Sequence, residues 1–193
     1  MMKFQELPES ERAALKERAR NETLIELWKE IPASSSQGWN DRAALAAEML
    51  GDVRSVTDIG CGAMALERYL PHATYVPVDC VQRDARTIVV DLNREPAPET
   101  GTDAATLLGV LEYIHDVPKL LADLARAYRV ILVTYNQAED RQSAEGVTRD
   151  TWVNSFTRDQ LGDVFEQSGL HIVRRESLGT QTLWLLRSQT AAL

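Results

Sequence analysis

Along the first part of the chain, apolar positions recur at helical spacing. Between residues 9 and 31, Ala13, Leu15, Ala19, Leu24, Ile25, Leu27 and Trp28 stand among charges, which predicts a helix or a broken pair of helices stopped at Pro32. The next stretch, "PASSSQGWN", is built of small and turn-forming residues and reads as a mobile hinge. Asn40 or Asp41 is then placed to cap a second helix, "DRAALAAEML", which ends at Gly51. From residue 53 the pattern alternates. "VRSVTDI" reads as a buried strand, "AMALERYL" as a helix, and "TYVPVD", "RTIVVD" and "AATLLGVL" as three further strands. "DVPKLLADLARAY" is a helix with its proline in the first turn, "RVILVTY" a strand, and "TRDQLGDVFEQSG" a helix with a threonine cap and a terminal glycine. "LHIVRRESL" and "TQTLWLLR" form a hairpin around Gly179. Five strands alternating with helices, then a hairpin, predict an α/β, doubly wound, mostly parallel seven-stranded sheet with an antiparallel C-terminal edge.

Composition narrows the setting. The 193 residues suit a single domain, 1–193, divided into an N-terminal helical extension over 1–50 and an α/β core over 51–193. A formal net charge of -8 leaves no diffuse positive field for phosphate backbones, so a nucleic-acid partner is not expected. The N-terminus has no apolar leader behind a basic start, and no apolar run approaches the roughly 18 residues of a membrane span, so a cytoplasmic protein with no membrane partner is expected. Cys61 and Cys80 have no CxxC spacing or histidine cluster; two reduced thiols and no metal site are expected.

Candidate chemistry begins at "VTDIGCGAMALERYL". Gly60 and Gly62 follow the first strand, where a doubly wound sheet binds its ligand and the backbone must approach closely. Asp79 closes the second strand, where its carboxylate can accept bonds from ribose hydroxyls, and Asp91 closes the next strand on the same rim. Two cofactors fit this spacing. "GCGAMA" also satisfies a dinucleotide fingerprint with Ala65 as its last member, which keeps an NAD(P)-dependent oxidoreductase as the alternative. Against it, Asp58 puts a carboxylate two residues before Gly60, suited to a cationic amine and repelling a pyrophosphate, and Met64 fills a position where a pyrophosphate site would be tight.

From about residue 53 to 187 the chain resembles the class I S-adenosylmethionine-dependent methyltransferases. Asp58, Gly60 and Gly62 match their acid-x-Gly-x-Gly motif, Asp79 in "YVPVD" the ribose acid, Asp91 in "IVVDLN" the acid before the adenine, and "ATLLGVLEYIHD" the fourth-strand signature. The final hairpin is likewise typical of the family. The resemblance implies S-adenosyl-L-methionine as cofactor, S-adenosyl-L-homocysteine as product, and contacts from Asp58, Gly60, Cys61, Gly62, Asp79, Cys80, Asp91, Leu92, Gly109 and Val110. Asp58 would serve the amine, Asp91 with Leu92 the adenine, and Gly109 with Val110 the methionine end. "GVLEY" stands where base-modifying relatives carry Asx-Pro-Pro-aromatic, which together with the acidic charge implies a small-molecule acceptor such as a metabolite, sugar or natural-product intermediate; oxygen is the expected acceptor atom, without a residue that specifies it. A cofactor-binding protein without transfer activity is the other alternative.

For the chemistry itself, His115 just past the fourth strand is a candidate base, with Tyr113 one turn away to orient an acceptor. Tyr135, Asn136, Trp152 and Asn154, in the long polar segment after the fifth strand, are candidate substrate contacts. Trp39, behind the serine run, is a candidate for closing over bound cofactor, with the N-terminal helices as a lid. "CVQRDA" is too short to hold a crossover helix, so that crossover is expected as a turn, with the N-terminal helices covering the gap.

Overall fold

A computed structural model describes residues 7–30, 34, 36–140 and 151–190; of the predicted hinge, Pro32, Ala33 and Ser35 lie outside them, as do residues 141–150 of the long polar segment. Strands β1 (Ser55–Ile59), β2 (Thr74–Asp79), β3 (Ile88–Val89), β4 (Ala104–Leu107), β5 (Val130–Tyr135), β6 (Leu170–Leu178) and β7 (Gln181–Ser188) form one sheet in the order β3-β2-β1-β4-β5-β7-β6. The first five pair parallel, and β7 lies antiparallel between β5 and β6. The expected doubly wound sheet with its antiparallel hairpin is therefore present. The strand order reverses between β1 and β4, which run parallel, and this opens a crevice at their carboxyl ends.

Period-two alternation along the strands builds a core on each face. Ile59, Leu107, Ile131, Val133, Trp184 and Leu186 point into one, with Leu121 and Leu124 of α4 (Val117–Ala127) and Phe165 of α5 (Arg158–Gln167). Val56, Leu132 and Leu183 point into the other, with Ala43, Ala46 and Met49 of α3 (Gln37–Leu50). Both core helices on the first face start as predicted. The Asp116 carboxylate accepts from Lys119 N at 3.0 Å with Pro118 in the first turn, and Thr157 and Gln160 form a reciprocal capping box.

At the N-terminus the broken pair is what forms, as α1 (Glu9–Ala19) and α2 (Ile25–Lys29). α1 buries only Ala19, so it is held by few contacts. Four local expectations are corrected. α3 starts at Gln37 rather than after Asn40 or Asp41, because the Ser36 hydroxyl accepts from Trp39 N and caps it three residues earlier. "AMALERYL" is no α-helix: Gly62 (φ 49°) and Met64 (φ 52°) are both left-handed, so the chain turns and only a single 3₁₀ turn forms, Leu66–Tyr69. The strand expected over "RTIVVD" shrinks to Ile88–Val89 at the sheet edge. "AATLLGVL" stops at Leu107, since Gly109 takes φ 77° and a second 3₁₀ turn, Leu111–Tyr113, follows. The crossover between β2 and β3 has no helix, as its length predicted.

Leu121, fully buried where α4 meets the sheet, tests the dominance of that core. Leu121→Ala is expected to lower unfolding free energy by about 2–5 kcal/mol in urea denaturation, with the cavity only partly relaxed.

Candidate functional site

Two clefts meet above the carboxyl ends of the strands. The first, about 590 Å³, lies over the tips of β1, β2, β3 and β4 and is lined by Gly60, Asp79, Cys80, Asp91, Leu92, Gly109, Val110 and Tyr113. The second, about 600 Å³, lies beside it under α3 and is lined by Trp28, Trp39, Arg42, Gly109, Glu112, Tyr113, Asn136 and Trp152. Trp28, Gly109 and Tyr113 border both.

The backbone at the floor of the first cleft strongly favours glycine at two points. A Cβ on Gly60 would stand 2.3 Å from Val110 Cγ2, and a Cβ on Gly109 2.7 Å from Arg42 Nη1; both residues are left-handed. Gly60 N and Cys61 N donate to Val78 O at 2.8 and 3.0 Å, which ties the turn to the end of β2. Cys61 and Gly62 belong to this turn without lining the cleft; burial raises the Cys61 thiol pKa, and Cys80 on the wall is pushed up to about 12 mainly by burial.

Asp79, 5% exposed, is heavily engaged. Its Oδ2 accepts from Gly62 N at 2.9 Å and faces Arg83 Nε at 3.1 Å, while Oδ1 accepts from Val81 N at 3.0 Å and Arg83 Nη2 at 3.2 Å. Arg83 Nη1 donates in turn to Trp28 O at 2.9 Å, which fastens α2 over the first cleft. The Trp28 ring meets Tyr113 edge-on, with centroids 4.6 Å apart. Asp91 Oδ1 accepts from the Thr23 hydroxyl at 2.6 Å and from Asn93 N at 3.1 Å, so it too is bound to the N-terminal segment. The N-terminal helices thus cover the gap left by the short crossover.

Asp58 sits beneath both clefts and lines neither. It faces the α3 side, as Val56 does, and accepts from Tyr75 Oη at 2.5 Å and Thr106 Oγ1 at 2.7 Å. Desolvation raises its pKa, against those two bonds and the nearby Arg42. Any influence on a ligand is therefore through the field rather than through direct contact.

Three candidates lie away from the clefts. His115 was expected as a base, but its Nε2 is 2.8 Å from Ala19 O, and a carbonyl only accepts, so that nitrogen carries the proton and anchors α1. Tyr135 was expected at the substrate; it is fully buried, donating to Asn154 Oδ1 and accepting from Phe156 N. Asn154 was expected beside it, but its amide donates to Leu111 O and Ile114 O and staples the 3₁₀ turn. All three satisfy backbone groups that irregular segments leave open. Trp39, Tyr113, Asn136 and Trp152 do face the second cleft.

Arg42, Arg83 and Glu112 were given no role from the sequence. Arg42 lies one turn before Ala46 and two before Met49, on the buried stripe of α3, and an arginine there was the available signal. Its Nε is buried without a partner, its Nη1 donates to Gln181 at 3.2 Å, and desolvation lowers its pKa. Glu112, 1% exposed, stands in the otherwise apolar "GVLEYI". Its Oε1 accepts from Asn136 N at 3.0 Å and Nδ2 at 2.8 Å, its Oε2 is buried without a partner, and burial raises its pKa.

A family model described as "Methyltransferase domain" matches residues 24–175. No curated protein sequence matches the chain. Among solved structures it is similar to a methyltransferase of calicheamicin biosynthesis in its S-adenosylhomocysteine-bound form, at 18% identity and TM-score 0.59 over 78% of this chain. The match spans only 54% of that protein, about half its length. It is similar to mitomycin 7-O-methyltransferase at 17% identity and TM-score 0.66, covering 96% of this chain and 70% of that one. It is also similar to 1,6-didemethyltoxoflavin-N1-methyltransferase of Burkholderia thailandensis, with bound 1,6-didemethyltoxoflavin and S-adenosylhomocysteine, at 16% identity and TM-score 0.61, covering 93% and 86%. At these identities the likeness is one of fold.

Arg83→Ala strands the buried Asp79 carboxylate and frees Trp28 O. It is expected to cost roughly 3 kcal/mol of stability and to raise amide hydrogen exchange across Ile25–Lys29 while α4 stays protected. Unchanged exchange over α2 would mean that ring packing alone holds the cover.

Proposed function

The chain belongs to the methyltransferase-domain family, and on that premise we propose that it transfers a methyl group from S-adenosylmethionine to an oxygen of a small-molecule acceptor. The observation that carries the choice of cofactor is the glycine turn, which runs into a 3₁₀ turn of four residues, Leu66–Tyr69, and is ringed by acids. A pyrophosphate relies on the positive end of an α-helix, and none begins there. Met64 is part of that difference: left-handed at φ 52°, it helps to prevent the helix, beyond merely occupying space.

The charges fit the sulfonium and ammonium of S-adenosylmethionine. Asp58 and Glu112 are buried carboxylates driven toward protonation, and a cation nearby keeps them ionised, whereas a diphosphate would drive them further up. In this reading Asp79 serves the ribose hydroxyls, sharing its carboxylate with Arg83, and Asp91 with Leu92 borders the adenine. Gly60 gives close backbone approach, Cys61 and Gly62 shape the turn behind it, Cys80 packs on the wall, and Gly109 with Val110 holds the methionine end. Arg42, whose Nη1 lies against Gly109 and whose buried Nε has no partner, takes the methionine carboxylate. S-Adenosylmethionine supplies a methyl already activated on positive sulfur, so the chain's own residues have mainly to align the acceptor and exclude water. Residues 1–50 act as the cover, and the second cleft receives the acceptor.

Thermal melts with S-adenosylhomocysteine, NAD and NADP test the cofactor: only the first is expected to raise the midpoint, and a rise with a nicotinamide cofactor would favour the oxidoreductase reading. By calorimetry, Asp79→Ala is expected to weaken S-adenosylhomocysteine binding about 10- to 100-fold by removing charged hydrogen bonds. Unchanged affinity would rule out the ribose role.

A further inference from the structure

Three of the chain's four tryptophans converge on the second cleft; the fourth, Trp184, is buried in the core. Trp28 comes from α2, Trp39 from α3 and Trp152 from beyond β5, and each leaves part of its ring accessible beside the others. Folding normally buries such large apolar surfaces, and half-buried rings around one hollow suit a flat, polarisable ligand. At the base of this hollow stands Glu112, with one oxygen fixed and the other free. The fixation is directional, because Thr180 Oγ1 donates to Asn136 Oδ1 at 3.1 Å, which turns the Asn136 amide nitrogen toward Glu112 Oε1. A buried carboxylate oxygen without a donor is costly unless something supplies one. The cleft shares Gly109 with the first cleft, so a ligand here lies next to the methionine end of the cofactor site.

We propose that this cleft takes a flat aromatic acceptor carrying a phenolic hydroxyl, and that Glu112 Oε2 accepts the hydroxyl proton as the oxygen is methylated. The proposal rests on the methyl-transfer reading above. In the step, the acceptor oxygen forms a bond to the methyl carbon and the carbon–sulfur bond breaks with its electron pair going to sulfur. The hydroxyl proton passes to Glu112, which later returns it to solvent; the products are an aryl methyl ether and S-adenosylhomocysteine. A phenol with a pKa of about 10 is protonated near neutral pH and gains from a base in contact. Burial makes Glu112 a stronger base than an exposed carboxylate, opposed first by the hydrogen bonds from Asn136 and then by Arg42, the charged group facing it from α3. Trp152 Nε1 donates to Tyr113 Oη at 3.1 Å, which aligns two of the walls.

The test uses the full chain and a panel of two-ring phenols, 2-naphthol, 8-hydroxyquinoline and 1,4-dihydroxy-2-naphthoic acid, with 2-decalol as a saturated control. Calorimetry with and without S-adenosylhomocysteine is expected to show binding of panel members, at least tenfold weaker binding of 2-decalol, and a loss of about tenfold in Trp152→Ala. No aromatic binding, or equal binding of 2-decalol, overturns the proposal even if S-adenosylhomocysteine binds. Failure of S-adenosylhomocysteine itself to bind counts instead against the methyl-transfer reading. Glu112→Gln keeps an oxygen for Asn136, so the fold is expected to persist, with phenol binding weakened by less than about tenfold and rates compared at saturating phenol. Methyl ether formation is expected to fall about 10²-fold or more, and the parent's loss of rate with falling pH, as Glu112 protonates, is expected to disappear. A variant that keeps both the rate and the acid limb, or a parent that binds the phenols and methylates none, overturns the role of Glu112.

Discussion

One carboxylate holds the upper end of the molecule together. Asp79 takes Gly62 N from the glycine turn, Val81 N from its own strand end and a two-point contact from Arg83, whose remaining arm reaches Trp28 O. The turn, the tip of β2 and the cover are therefore three clients of a single buried acid. Such a pair is costly to desolvate, and losing one member costs more than the pair contributes. In the proposed reading a ribose entering the cleft shares that acid with Arg83, which would link cofactor binding to the seating of α2 through the same two oxygens.

The second cleft depends on a different balance. Arg42 stands close to Asp58 on one side and Glu112 on the other, and all three are drawn toward neutrality by desolvation. Asp58 has spent its oxygens on Tyr75 and Thr106, so its charge acts only through space. Glu112 and Arg42, both lining the second cleft, each keep a buried atom unspent. An acid with every lone pair engaged is part of the scaffold, while a half-engaged acid and a half-engaged base are places where a ligand completes the bonding.

The sheet was legible in the sequence because burial on both faces leaves its central strands as short apolar runs, and "RVILVTY" contains all of β5. The helix expected over "AMALERYL" was not legible as a turn. Its apolar spacing suits a helix, and the left-handed backbone at Met64 that prevents one has no sequence mark in a non-glycine residue. His115, Tyr135 and Asn154 misled for a shared reason: polar residues beside a rim look like chemistry, yet each is consumed by carbonyls or amides of irregular backbone. The clue to Arg42 and Glu112 was the reverse, a charge where the local pattern calls for an apolar side chain.

This contrast separates the two clefts. The first is made of strand ends, and strand ends are set by register, which a periodic sequence encodes locally; hence its glycines and acids are found by spacing. The second is made by side chains from α2, α3, the 3₁₀ turn before α4 and the segment after β5, joined only when those elements pack. No spacing along the chain announces that Trp28, Trp39 and Trp152 will face one another. A cofactor common to a family is recognised largely by backbone approach and therefore leaves a motif, whereas an acceptor is recognised by side-chain surfaces that carry none. It follows that the identity of the acceptor has to be read from the shape and unspent bonding of the packed molecule, in which aromatic faces and the free oxygen of Glu112 are what the second cleft offers.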